Sequence, residues 1–203
     1  MIRKFLTLLC GLGVSAPLAF SAGAGSSATL ANLQAAFQGE SNAHARYLAF
    51  AEKADEEGYA GVASLFRAAS LAEEIHAGNH AAVIKNLGAA PQAQIDAPKV
   101  GSTAENLKAA IQGETYERDE MYPAFVQQAT SDQNTSALES FRSALAAEAE
   151  HARLYTEALG NLESMTYAVT YYVCPVCGFT TPDPNLGYCP TCATPEERFK
   201  QVS

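Results

Sequence analysis

Lysine and arginine are scarce in this chain, 13 against 22 aspartates and glutamates, for a formal charge of −9. Such a chain has no electrostatic footprint for nucleic acid. Long apolar runs are also lacking. The one candidate, Phe5 to about Phe20, is too short and too broken by Gly and Pro to span a bilayer comfortably. With Arg3-Lys4 before it and Ala22-Gly-Ala24 after it, it is predicted to be a secretory signal over 1–24. The expectation is an exported chain, periplasmic in a bacterium with two membranes, that makes no membrane contact once the signal is removed. Val, Ile and Thr dominate only after Met165; Ala, Glu and Leu dominate before it, which favours helix. Cysteine is missing between Cys10 and Cys174.

What is present is a repeat. Phe141 to Ala152 (FRSALAAEAEHA) and Phe66 to Ala77 (FRAASLAEEIHA) are identical at seven of twelve positions, and each carries Glu-x-x-His, as Glu73/His76 and Glu148/His151. Residues three apart share a helix face, so each stretch offers a carboxylate and an imidazole to one point, a donor pair suited to iron, manganese or zinc. Upstream, Phe37-Gln-Gly-Glu40-Ser resembles Ile111-Gln-Gly-Glu114-Thr, with Glu40 33 residues before Glu73 and Glu114 34 before Glu148. A lone Glu-x-x-His is more often a solvated pair; two copies, each preceded by Gln-Gly-Glu, favour the metal reading. One Glu from each of two helices and Glu-x-x-His from each of two others is the dinuclear site of ferritin-like four-helix bundles.

Helices are predicted over about Thr29–Glu57 (Thr29 or Ser27 as cap; Leu33, Phe37, Leu48 and Ala51 as apolar stripe), to Leu87 with Gly88 as stop, Ser102–Ala129 from a capping box and kinked at Pro123, and Thr135–Leu159 with Gly160 as stop. Gly88–Ser102 is the long crossover that one bundle topology requires. Glu117 shares a face with Glu114, where the first repeat has Ala43, so it either adds a carboxylate to one metal or is an exposed acid. His44 and His80 are expected at the surface or behind the ligands. His76-x-x-x-His80 as a zinc chelate is disfavoured, because Tyr155 stands where His80 would repeat. Tyr47 and Tyr122 fall on ligand-bearing faces, where each is a core tyrosine or a hydrogen-bond donor to a ligand carboxylate.

The last segment holds Cys174-x-x-Cys177 and Cys189-x-x-Cys192 with eleven residues between. Two such knuckles make a tetrahedral four-sulfur site for zinc or iron. Two disulfides are the alternative in an oxidising compartment. The segment is too small to bury a core alone, so a metal would hold it, with Tyr171, Tyr172, Phe179, Tyr188 and Phe199 packed around.

From about Leu30 to Val202, this order of motifs resembles rubrerythrin, a ferritin-like di-iron domain (25–162 here) followed by a rubredoxin-like domain (163–203 here). The resemblance implies a mainly α fold with a small β/loop metal domain. It implies two irons held by Glu40, Glu73, His76, Glu114, Glu117, Glu148 and His151, one of them moving between His76 and Glu117 with redox state, and a third iron held by Cys174, Cys177, Cys189 and Cys192. It implies reduction of hydrogen peroxide with electrons relayed from the sulfur-bound iron, a homodimer, and an electron-donor protein that the sequence does not identify. A ferroxidase using oxygen and a colourless structural zinc module are the competing readings. The chain departs from the pattern at Ala193, where rubredoxin proper has a knuckle glycine, in the short gap between knuckles, and in the export signal.

Overall fold

An Ala-rich chain with few β-branched residues gives up little side-chain freedom on coiling, and most of it is helix. The structure, a computed structural model, describes residues 25–203; the predicted signal over 1–24 lies outside the described residues. Helices α1 (Gly25–Glu56) and α2 (Ala60–Asn86) meet at a tight turn in which Gly58 takes φ +82°. Thr29 lies inside α1 rather than capping it, and its hydroxyl donates to Asp132 Oδ2 at 2.6 Å. Gly88 follows α2 at φ +81°, the expected left-handed stop.

The crossover that follows has no helix or strand, yet its backbone is paired. Gln34, Gln38 and Asn42 are four apart on α1, so their amides form one row. Gln34 accepts from Gln92 N and donates to Ala90 O; Gln38 accepts from and donates to Gln94; Asn42 accepts from Asp96 N and donates to Gln94 O. This side-chain ladder satisfies main-chain groups that a sheet would otherwise pair.

Helix α3 (Thr103–Tyr116) starts at the predicted Ser102/Glu105 capping box. A π-helical turn, Glu117–Met121, then leads into α4 (Tyr122–Ser131). Pro123 therefore stands in the first turn of α4, where a missing N–H is tolerated. The expected mid-helix kink is replaced by this wider turn, in which Tyr122 N–H reaches back to Glu117 O. Helix α5 (Thr135–Gly160) completes a four-helix bundle. Leu33 and Ala51 are buried as expected, but Leu48 is 43% exposed.

Strands β1 (Tyr171–Val173), β2 (Thr180–Thr181) and β3 (Lys200–Val202) form an antiparallel sheet in the order β2-β1-β3. The connection before β1 lies along the start of α2: Met165 O accepts from Gly61 N at 2.9 Å, and Ser64 Oγ accepts from Val169 N at 3.3 Å. Two apolar clusters fill the bundle, one around Tyr47, Phe50, Phe66 and Tyr155, the other around Leu33, Tyr122 and Phe141. Cys174, Cys177 and Cys189 form a third with Phe179 and Phe199. Tyr171 joins the bundle cluster rather than the sulfur cluster, and Tyr188 is 66% exposed, contrary to its expected packing.

Candidate metal centres

Between the two bundle clusters lies a polar cage. Glu40, Glu73, Glu114, Glu148 and His151 are fully buried and His76 nearly so. Two groups have ligand atoms within 4.8 Å of one another: Glu40, Glu73, His76 and Glu148, and Glu73, Glu114, Glu148 and His151. Glu73 and Glu148 belong to both, which makes them the shared carboxylates of a two-metal arrangement. Helix periodicity explains the convergence, since each Glu-x-x-His pair projects from one face of α2 or α5.

The cage fits cations. Glu40 Oε2 is buried and makes no hydrogen bond, a costly state for a carboxylate oxygen unless a cation satisfies it, and Glu148 Oε1, Glu73 Oε1 and Glu114 Oε2 have only imidazole nitrogens near them, at 3.0, 3.3 and 3.4 Å. His76 Nδ1 lies 2.9 Å from Glu73 Oε2 and 3.0 Å from Glu148 Oε1, and His151 Nδ1 lies 2.9 Å from Glu148 Oε2. Burial alone would lower both imidazole pKa values, but Glu148 and Glu73 raise that of His76, and Glu114, Glu148 and Glu73 raise that of His151. Burial, then the charges of Glu73 and Glu148, pushes Glu114 up to about 8. Burial and the same two charges raise Glu40. Burial opposes ionisation of Glu148, yet His76 and His151 hold its pKa low. Without metal the cage therefore keeps protons that a metal must displace.

Glu117 is in neither four-ligand group. It sits half-buried on the π turn, its carboxyl raised first by burial and then by the charge of Glu40. Both tyrosines act as donors, each to the other repeat's carboxylate: Tyr47 to Glu114 Oε1 and Tyr122 to Glu40 Oε1. His44 is half-buried against Ser70 O at 2.9 Å. His80 is not at the surface. It is fully buried, with Nδ1 2.8 Å from Ser140 Oγ and Nε2 3.0 Å from Tyr122 Oη. Burial, and next His76, depresses its pKa to about 3, so it is neutral. Because Tyr122 donates to Glu40, its oxygen accepts from His80 Nε2–H, and His80 Nδ1 accepts from Ser140.

The four late cysteines form no disulfide in the structure. Cys174 Sγ and Cys192 Sγ are 3.5 Å apart, Cys177 Sγ and Cys189 Sγ 3.4 Å, near the edge of about 3.8 Å that four sulfurs at about 2.3 Å from a tetrahedral metal would span. Each knuckle folds back through an amide to its first cysteine, Gly178 N to Cys174 O at 3.0 Å and Ala193 N to Cys189 O at 2.9 Å, with Gly178 at φ +77° and Ala193 at φ +57°. The departure at Ala193 is thus a non-glycine residue in the same left-handed turn.

The two centres touch. His76 Nε2–H donates to Cys177 O at 3.0 Å, Asn79 Nδ2 to Val176 O at 2.9 Å, and His151 Nε2–H to Thr180 Oγ1 at 3.2 Å. Sequence reasoning missed Asn79 and Thr180, since no motif links residues this far apart.

A rubrerythrin family model matches residues 31–159. The chain is 37% identical over 172 residues to nigerythrin of Nitratidesulfovibrio vulgaris, covering 84% of this chain and 85% of that one. It is also 37% identical over 172 residues to rubrerythrin-2 of Clostridium acetobutylicum, covering 83% and 93%. The chain belongs to the rubrerythrin family. Nigerythrin in its fully reduced, all-ferrous state superposes with TM-score 0.81 at 36% identity, over 85% of this chain and 86% of that one. A Desulfovibrio desulfuricans bacterioferritin shares the helical fold at TM-score 0.64 and 19% identity, over 70% and 84% of the two chains. The donor sets here, a carboxylate–histidine cage and four cysteines, are those of rubrerythrin iron centres.

Proposed function

We propose that this rubrerythrin-family chain is a peroxidase that reduces hydrogen peroxide to water. The reaction consumes two electrons and two protons per peroxide and yields two waters. When bound, the paired irons supply the two electrons that split the O–O bond, and the sulfur-held iron replaces them one at a time. The supporting observation is the hydrogen bond between His76 Nε2 and Cys177 O, which joins a cage ligand directly to the sulfur knuckle. A ferroxidase needs no electron supply, so it leaves this junction without a purpose.

The chain's own residues do the rest. The buried cage excludes water, and Tyr47 and Tyr122 orient Glu114 and Glu40 by donating a hydrogen bond to each carboxylate. Glu117, half-buried beside Glu40, adds a carboxylate on one side only. Glu117→Ala is expected to slow peroxide turnover more than it lowers iron content; a variant with normal turnover contradicts the assignment. Export to the periplasm through 1–24 belongs to the same proposal, as does pairing into a homodimer that draws on a separate electron-donor protein. Reduced protein that oxygen oxidises as fast as peroxide would favour the ferroxidase.

A further inference from the structure

An imidazole that ligates through Nδ1 must carry its proton on Nε2, and a buried Nε2–H needs an acceptor. The bundle supplies that acceptor to neither cage histidine. For His76 it is the carbonyl of Cys177. For His151 it is Thr180 Oγ1, its only hydrogen-bond partner on that side among the described residues. Thr180 is fully buried, and its own hydroxyl proton is committed to Gly178 O at 3.0 Å. Its oxygen therefore faces His151 as an acceptor, and the tautomer of His151 is fixed.

Both acceptors lie in residues 177–180, where the first sulfur knuckle runs into β2. That stretch is shaped by the four-cysteine centre: Cys174 N bonds to Phe179 O at 2.9 Å and Gly178 N to Cys174 O at 3.0 Å. The unit's own apolar cluster is three cysteines with Phe179, Phe199 and the partly buried Cys192, too little to hold this backbone without the sulfur-bound metal.

We propose that Thr180 is the positioning residue for His151, and that through Thr180 and the Cys177 carbonyl, filling the four-cysteine site raises the metal affinity of the carboxylate cage. The two sites then load cooperatively. Linkage makes the effect reciprocal: metal in the cage strengthens docking of the knuckle. The inference rests on the assignment of the metal centres and not on peroxide as the oxidant.

The test uses the full-length chain with one equivalent of zinc, which prefers thiolates, followed by titration with manganese, which prefers carboxylates. Manganese binding is read by electron paramagnetic resonance. Thr180→Val should weaken binding at one manganese position by about 10- to 100-fold, the usual cost of losing such a partner, and Thr180→Ser should restore it. In zinc-filled protein the His151 Nε2–H resonance should carry the signature of a hydrogen-bonded proton in the wild type and lose it in Thr180→Val. Should Thr180→Val fail to retain its zinc, the wild-type chain with and without zinc carries the test. There, omitting zinc should weaken manganese binding by a similar factor. Equal manganese affinity in these comparisons overturns the proposal. A zinc-filled wild-type chain that binds no manganese overturns it too, by removing the cage assignment beneath it.

Discussion

The two halves of the cage descend from one repeat and differ in what stands behind each ligand. Behind Glu40 runs an ordered chain, Ser140 to His80 to Tyr122 to the carboxylate, every member paired. Behind Glu114, Tyr47 is backed by rings, Tyr155 edge-on at 5.5 Å and Phe66 at 5.9 Å, with the Arg46 guanidinium over its own ring, and the Tyr155 hydroxyl is buried without a hydrogen-bond partner. Tyr155 occupies the repeat position of His80. The outer histidine nitrogens differ as well: His76 meets a main-chain carbonyl and His151 a side-chain hydroxyl. Only one half has the π turn and Glu117. The ligands keep the symmetry and their supports do not, so the two metal positions are expected to differ in affinity and reactivity.

The largest effect should come from removing what the halves share. Glu148→Ala takes a ligand from both groups and is expected to empty both metal positions, whereas Glu40→Ala or Glu114→Ala empties one; metal content per chain distinguishes them. A comparable contrast holds between the knuckles. A Cβ on Gly178 would sit 2.3 Å from His76 Nε2, and the residue is at φ +77°. Gly178→Ala should undock the knuckle from His76 and slow electron transfer between the centres. The backbone strain adds about 1–2 kcal/mol. Ala193→Gly relaxes the matching turn at φ +57° and should stabilise the sulfur unit by about 1 kcal/mol, read as a higher denaturation midpoint.

Next in size is the contrast between His80 and Tyr155. His80→Leu strands the Ser140 hydroxyl and strips Tyr122 of its donor, at a cost of about 1–3 kcal/mol. Tyr155→Phe deletes a hydroxyl that already lacks a partner and should leave stability unchanged or slightly raised. Urea unfolding of metal-free protein measures both, and a larger loss for Tyr155→Phe would reverse the comparison.

The smallest effect is the pH dependence of the metal-free chain. Glu114 titrates near 8 when folded against 4.5 as its ordinary value, so the folded state holds a proton that the unfolded state has lost. The raised values of His76 and His151 act in the same direction. Stability should therefore fall as pH rises from about 5 to 8. Metal replaces those protons, so the loaded chain should show no such fall.

Much of this was legible in the sequence because helical spacing is local. Glu-x-x-His fixes one face, Gln-Gly-Glu recurs at a near-constant distance, and Cys-x-x-Cys is a knuckle wherever it occurs. The π turn was not legible, since Pro123 announces a break and not its geometry. Nor was the amide row of Gln34, Gln38 and Asn42, which reads as a polar helix face until the crossover is seen lying on it. The sequence left His80 between the surface and a place behind the ligands, and the structure shows the second, because its partners, Ser140 and Tyr122, come from other helices. Thr180 carries no motif at all; its role exists only where the sulfur unit meets the bundle.

Peroxide reduction as proposed requires electrons to pass from the sulfur centre to the cage. The direct test is to reduce iron-loaded, full-length protein without air, mix it with two equivalents of hydrogen peroxide per chain, enough to take all three electrons, and follow the visible band of the sulfur-bound iron. The prediction is rapid oxidation of the cage, then growth of the sulfur-iron band as that centre gives up its electron, both faster than with dissolved oxygen. A sulfur centre that stays reduced while the cage is oxidised, or oxidation by oxygen at the same rate, would contradict it.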